Sequence, residues 1–400
     1  MMFDRFGLTI EGNRATRYAL TVLILYSAIA LSLAAFGWMR TWSGLNVPAM
    51  YPPFADLRTI QGALISQASG FDPQINNPGD PWGRPMNYPI IWLVIAKLLN
   101  LGNDTNYLIF VTCWIVTFAA CVCSIIYRFP SLWILAAIFS GSNLLLLERG
   151  NNDLIVFCLV YVSIIISWPW SASLFVIFAA ILKIYPLFSV FHMHKNWKTI
   201  VVILIVSAIF IWLDASEIAK IRASTPTCAN LCYGVNSLSL VIKKRLDIDI
   251  SYPALLIFHV GIALYFVLRN TLIEKWRARA TNTHASQMFI AGGGVYVLTF
   301  LLSANWDYRL VFLIFCIPYI LLLNDYYIKY TILISIIMAS NYRNISQLLG
   351  LTGAWLNTAS KSFLFVSISI IMYHELSLLL PIRNIWPKFY SAHKTKPNSR

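Results

Sequence analysis

Apolar runs close to the ~20 residues that cross a bilayer recur along this chain from Tyr18 to Leu380. Lipid offers no hydrogen-bond partners, so such runs are restricted to structures that satisfy their own backbone, helices above all. The expected fold is an all-α, polytopic membrane helical bundle in one domain, residues 1–400. Only 12% of residues are charged, against about 25% in an ordinary soluble domain. Twelve spans are expected, at about 18–39, 88–102, 106–127, 130–147, 153–168, 171–190, 199–213, 252–268, 287–303, 309–323, 328–340 and 362–380.

Arg5, Arg14 and Arg17 precede the first run, and no small-residue cleavage signal follows it. It reads as a retained signal anchor with a cytoplasmic N-terminus. The basic loop 269–279 and the basic tail 381–400 suit the cytoplasm. The net charge of +14 then reflects contact with membrane lipid headgroups. No basic run with interleaved aromatics suggests nucleic acid. The outer face receives a first loop (40–87), a second large loop (214–251), the Asn305–Arg309 turn and the 341–361 loop. Strict counting puts Glu148–Asp153 on the opposite side, unless 88–102 is a juxtamembrane helix and 153–190 is not a plain double crossing. Cys228 and Cys232 share the second loop, where an oxidising compartment would allow a disulfide. Neither Cys nor His has zinc-like spacing, and no metal or cofactor is expected.

The first outer loop holds the main chemical candidate. Residues 54–65 read as a short amphipathic helix, with Leu57, Ile60, Leu64 and Ile65 at helical spacing. Asp56 falls in its first turn, where negative charge is favoured. A partly buried carboxylate there suits a general base for a sugar hydroxyl; a helix cap or a solvated loop acid is the alternative. Asp72-Pro73 and Asp80-Pro81 read as turn openers. Asn87 and Tyr88, before Pro89, mark re-entry into the membrane and are candidate substrate contacts. Arg58, Arg84 and Arg309 are candidate phosphate ligands, the guanidinium fork matching that geometry.

Arg149, Asn151, Asn152 and Asp153 form a dense polar cluster between apolar runs, readable as a substrate site or as a capped hairpin turn. Lys183 stands in an apolar run, to bind substrate or to snorkel, and Pro186 is expected to kink that helix. Asp307 and Arg309 bracket a span start as a mutual ion pair or a site.

Taken in order, these motifs resemble the GT-C superfamily of polyprenyl-phosphate-sugar-dependent glycosyltransferases. The loop acid Asp56, the Gly70-Phe71-Asp72-Pro73 turn and Tyr88-Pro89 carry the general likeness. Arg149-Gly150-Asn151, Leu182-Lys183-Ile184-Tyr185-Pro186 and Asn236-Ser237-Leu238 are similar to motifs of glycosyltransferase family 87, which includes alpha-mannosyltransferases. The Asn236-Ser237 motif lacks the intervening residue of the family pattern. The resemblance covers roughly residues 50–310. It implies Asp56 as general base, a polyprenyl-phosphate sugar donor (mannose first), and a glycolipid or glycan acceptor. It also implies an active site facing the periplasm or exterior of a bacterial inner membrane. The rivals are a lipid-linked sugar flippase and an O-antigen polymerase or ligase.

Overall fold

The computed structural model describes residues 3–268, 282–302 and 304–379. The basic loop 269–279 and the tail 381–400 lie outside the described residues. The chain is a helical membrane protein whose one β element, among the described residues, is a two-residue antiparallel pair, Cys232–Tyr233 with Asn305–Trp306.

Twelve continuous spans do not form. Among the described residues, four helices are long and apolar enough to cross: Asn13–Phe36, Asp104–Arg128, Thr283–Leu302 and Tyr342–Ser377. Two bent pairs raise the number to six: Leu132–Ile138 with Gly141–Arg149 (40°), and Trp197–Leu213 with Ala215–Ser224 (75°). The remaining expected spans are too short. Ile91–Leu98 has 8 residues, about 12 Å at 1.5 Å per residue. Asp153–Ile165 has 13 residues, ten of them buried. Its apolarity reflects packing against protein, as expected of apolar helices this short. The expected spans 171–190 and 309–323 are broken by prolines. An α-helix ends at Leu182, ahead of Pro186, and a 3-10 helix runs Tyr185–Asn196. A second 3-10 helix, Asp307–Phe315, leads into the Ile317–Ile320 turn that contains Pro318. Proline removes a backbone donor and biases its predecessor away from the helix.

Polar side chains set several helix starts. Asn103 accepts from the amides of Thr105 and Asn106, and Asp325 from that of Ile328, satisfying otherwise orphaned donors. One core runs through most of the bundle, from Trp92 and Phe118 through Phe157 and Phe315 to Phe365.

Two glycines hold the first loop in place. Gly150 ends the Gly141–Arg149 helix in the left-handed region (φ 54°), and a Cβ there would lie 2.9 Å from Phe54 Cβ. Gly62 faces Gly79, and its Cβ would lie 2.5 Å from the Asp80 amide nitrogen. Glycine fits left-handed backbone and close backbone approach alike.

Both large loops share one face. Lys220 binds Asp72 at 2.7 Å, and Glu217 Oε1 accepts from the Ile90 amide at 2.5 Å. Asn46 donates to Asn344 and Gln347, tying the 341–361 segment to the same end.

Candidate active site

The helix carrying Asp56 runs Ala55–Ala68. Leu57, Ile60 and Ala63 are buried, but Ile65 points outward, 52% exposed. The expected apolar stripe is thus one position too wide. Phe54 occupies the N-cap position without a side-chain hydrogen bond. The Asp56 carboxylate is directed elsewhere: Oδ2 accepts from Asn151 Nδ2 at 2.6 Å, and Oδ1 lies 3.5 Å from an Arg84 nitrogen. Its side chain is 14% exposed, so part of the carboxylate stays open to a reactant.

Asn151 is the hub. Its Nδ2 also donates to the Tyr88 hydroxyl at 3.4 Å. Its Oδ1 accepts from Lys183 Nζ and from the Asp153 amide, both at 2.9 Å. Lysine and amide nitrogens offer only donors here, so the orientation of the Asn151 amide is fixed. The cluster also fixes the sidedness of Glu148–Asp153: it shares the face of the first loop. The short Ile91–Leu98 helix removes the crossing that strict counting inserted.

Lys183 sits at the C-cap of Pro169–Leu182, in extended backbone. It does not snorkel. Its side chain is buried, pairs with Asp153, and lies over the rings of Tyr88 (5.2 Å) and Tyr308 (6.0 Å). Arg309 reaches the other Asp153 oxygen at 3.6 Å, hydrogen-bonds Asn305, and lies 4.6 Å from the Tyr185 ring centroid. Asp307 is not its partner. That carboxylate turns away to Lys361, at 2.7 Å.

Arg84 is clamped by Asp80 through Nε (3.1 Å) and Nη2 (2.9 Å), and its Nη2 also donates to Ala55 O and Thr59 Oγ1. Asp80 further accepts from the Trp82 and Arg84 amides, so the turn expected at Asp80-Pro81 is built on that carboxylate. Burial disfavours the Arg84 charge, but the Asp80 hydrogen bond and the charges of Asp56 and Asp80 outweigh it and raise its pKa. Burial, then the negative charge of Asp56, pushes the Tyr88 hydroxyl well above its usual range, so it stays neutral.

Asp56, Asp80, Arg84, Tyr88, Asn151, Asp153, Lys183 and Arg309 therefore meet in one cluster. Three acids (Asp56, Asp80, Asp153) balance three bases (Arg84, Lys183, Arg309). Asn152 adjoins it, fully buried, with neither amide atom hydrogen-bonded within the protein. Such an amide calls for water or a ligand.

Other expected site residues lie apart. Arg58 is committed to Pro53 O, Gln61 and Asp104, and stacks on Tyr107 at 4.7 Å. Arg149 binds Glu148 and Pro48 O, fastening the segment before the Asp56 helix. Ser237 donates to Cys228 O, within the loop closed by the Cys228–Cys232 disulfide, with Asn236 half-buried beside it. Asn87 is half-buried next to Tyr88.

The sequence reading missed Lys361. It is buried and binds Asp307 and Cys232 O (3.0 Å), tying the Asn305–Arg309 turn to the second loop. A charged residue deep in an apolar helix was the available signal. No group of three or more His, Cys, Asp or Glu side chains forms a metal-type cluster among the described residues. No protein-family model, no curated protein and no solved structure matches the chain.

Proposed function

We propose that this protein is an inverting glycosyltransferase of the GT-C type. It moves one hexosyl unit, mannose as first choice, from a polyprenyl-phosphate donor to a glycolipid or glycan acceptor on the outer face of a bacterial inner membrane. The observation that carries the reading is Asp56. It is a partly open carboxylate, oriented by Asn151 and set beside Arg84 at the mouth of an apolar bundle.

The acceptor hydroxyl gives its proton to Asp56 as its oxygen attacks the anomeric carbon. The bond from that carbon to the phosphate oxygen breaks, and its electron pair leaves with the polyprenyl monophosphate. A single displacement inverts the anomeric centre. Charge grows on the departing phosphate, and Arg84 and Arg309, exposed over 32% and 20% of their side chains, are the cations that stabilise it. The unpartnered Asn152 amide offers a donor and an acceptor to a sugar hydroxyl. Outer-face chemistry accords with the Cys228–Cys232 disulfide, since such bonds persist in oxidising compartments.

The test is transfer from radiolabelled polyprenyl-phosphate mannose by purified protein, wild type against Asp56→Asn. One observation favours a lipid-linked sugar flippase instead: the buried, ion-paired Asp153–Lys183–Arg309 group has the character of groups lining transport paths. A flippase tolerates Asp56→Asn better than Lys183→Ala; the transferase fails at Asp56→Asn while still binding donor.

A further inference from the structure

We infer that a cavity between the turn after the Asp56 helix and the Ala215–Ser224 helix holds a hexopyranosyl ring of the acceptor. The inference rests on the transferase reading above. The cavity measures about 400 Å³ and is lined by Gln67, Phe71, Asp72, Gln74, Ile90 and Lys220, among others. That volume falls within the range of small-ligand clefts.

The lining selects the ligand class. Phe71 presents an exposed ring (43%), and Ile90 adds an apolar wall, which suits the C–H face of a sugar. Gln67 and the Asp72 carboxylate supply the donors and acceptors that hydroxyls need. An anion is disfavoured: Lys220 is already paired with Asp72 at 2.7 Å, and Glu217 stands at the rim, 3.5 Å from Gln74 Nε2. One cation faces two carboxylates, so a neutral polyhydroxy ring fits better than a phosphate.

The position links the cavity to the chemistry. Gln74 Nε2 donates to Tyr88 O at 3.3 Å. The Tyr88 side chain lies on the other side, against Asn151 and Lys183. The cavity and the Asp56 cluster thus flank the same residue. A glycan seated by its inner ring in the cavity has a short path to offer its terminal hydroxyl to Asp56.

Saturation-transfer NMR on the full chain in nanodiscs tests this, with methyl α-D-mannopyranoside and methyl β-D-galactopyranoside as ligands. The expected result is saturable binding of at least one. Phe71→Ala and Asp72→Asn each weaken it about fivefold or more. Both weakening substitutions are at exposed positions, so the fold persists. No saturable binding of either glycoside, or wild-type binding by both Phe71→Ala and Asp72→Asn, overturns the inference. The two readings fail separately. Protein that binds glycoside but transfers no sugar sinks the transferase; protein that transfers sugar without Phe71-dependent binding sinks the subsite.

Discussion

At the scale of the residue, the account turns on how few side chains hold the charge. Asn151 joins an acid on the first loop to a base 32 positions further along the chain from itself. Replacing it with Asp puts a carboxylate 2.6 Å from Asp56. Transfer is expected to fall at least tenfold in Asn151→Asp, with a lowered melting temperature, as like charges at that spacing repel. A kinetic assay beside a thermal melt checks both. Lys183→Ala leaves Asp153, wholly buried, with the longer Arg309 contact as its remaining ion pair. Removing one member of a buried ion pair costs about 3–5 kcal/mol, read as a fall in denaturation midpoint in detergent. Asp56 and Lys183 were legible because a charge beside apolar sequence needs a reason. Their arrangement around Asn151 was not, because nothing local to Asp56 specifies Asn151, 95 positions away. Arg58 shows the opposite limit. It stands two positions after Asp56, yet Asp104 and Tyr107 capture it.

At the scale of the element, the first loop is positioned by close backbone approach. Gly62→Ala is expected to destabilise the protein by about 1–3 kcal/mol, the range for overpacking, because the added methyl meets the Gly79–Asp80 backbone. Gly37→Ala provides a contrast, since a Cβ there meets nothing within 4 Å and only its positive φ opposes the change. The two melting temperatures compare a packing penalty at Gly62 with a backbone-strain penalty at Gly37. The sequence pattern disclosed the Asp56 helix to within a few residues, since period and turn signals are local. It misjudged elements whose apolarity comes from burial in protein. Asp153–Ile165 reads like a span by composition, but its length and ten buried residues mark it as an interior helix. A proline at 186 predicts a kink; in the structure it ends the α-helix and leaves Lys183 in extended backbone facing Asp153.

At the scale of the whole molecule, composition alone established a helical membrane protein, while the number of crossings did not follow from it. Counting 88–102 as a span put Glu148–Asp153 on the wrong face; the direct bond from Asn151 to Asp56 corrects it. One polar face then gathers both large loops, the acid, three cations and the unpartnered Asn152. Lys361 braces that face from the far end of the chain, through Asp307 and Cys232 O. Lys361→Met is expected to lower thermal stability by leaving Asp307 buried and unpaired, and to weaken donor use by loosening the Arg309 turn. A KM raised more than kcat is lowered is the signature to look for.

The central claim is that Asp56 accepts a proton during sugar transfer. The most direct measurement is transfer from radiolabelled polyprenyl-phosphate mannose to membrane acceptors by purified wild type and Asp56→Asn, with folding checked by thermal melt. The account predicts transfer by wild type and a loss of about 10²-fold or more in the variant, at an unchanged melting temperature and with donor still bound. Equal transfer by both proteins, or none by wild type across several donor sugars, would contradict it.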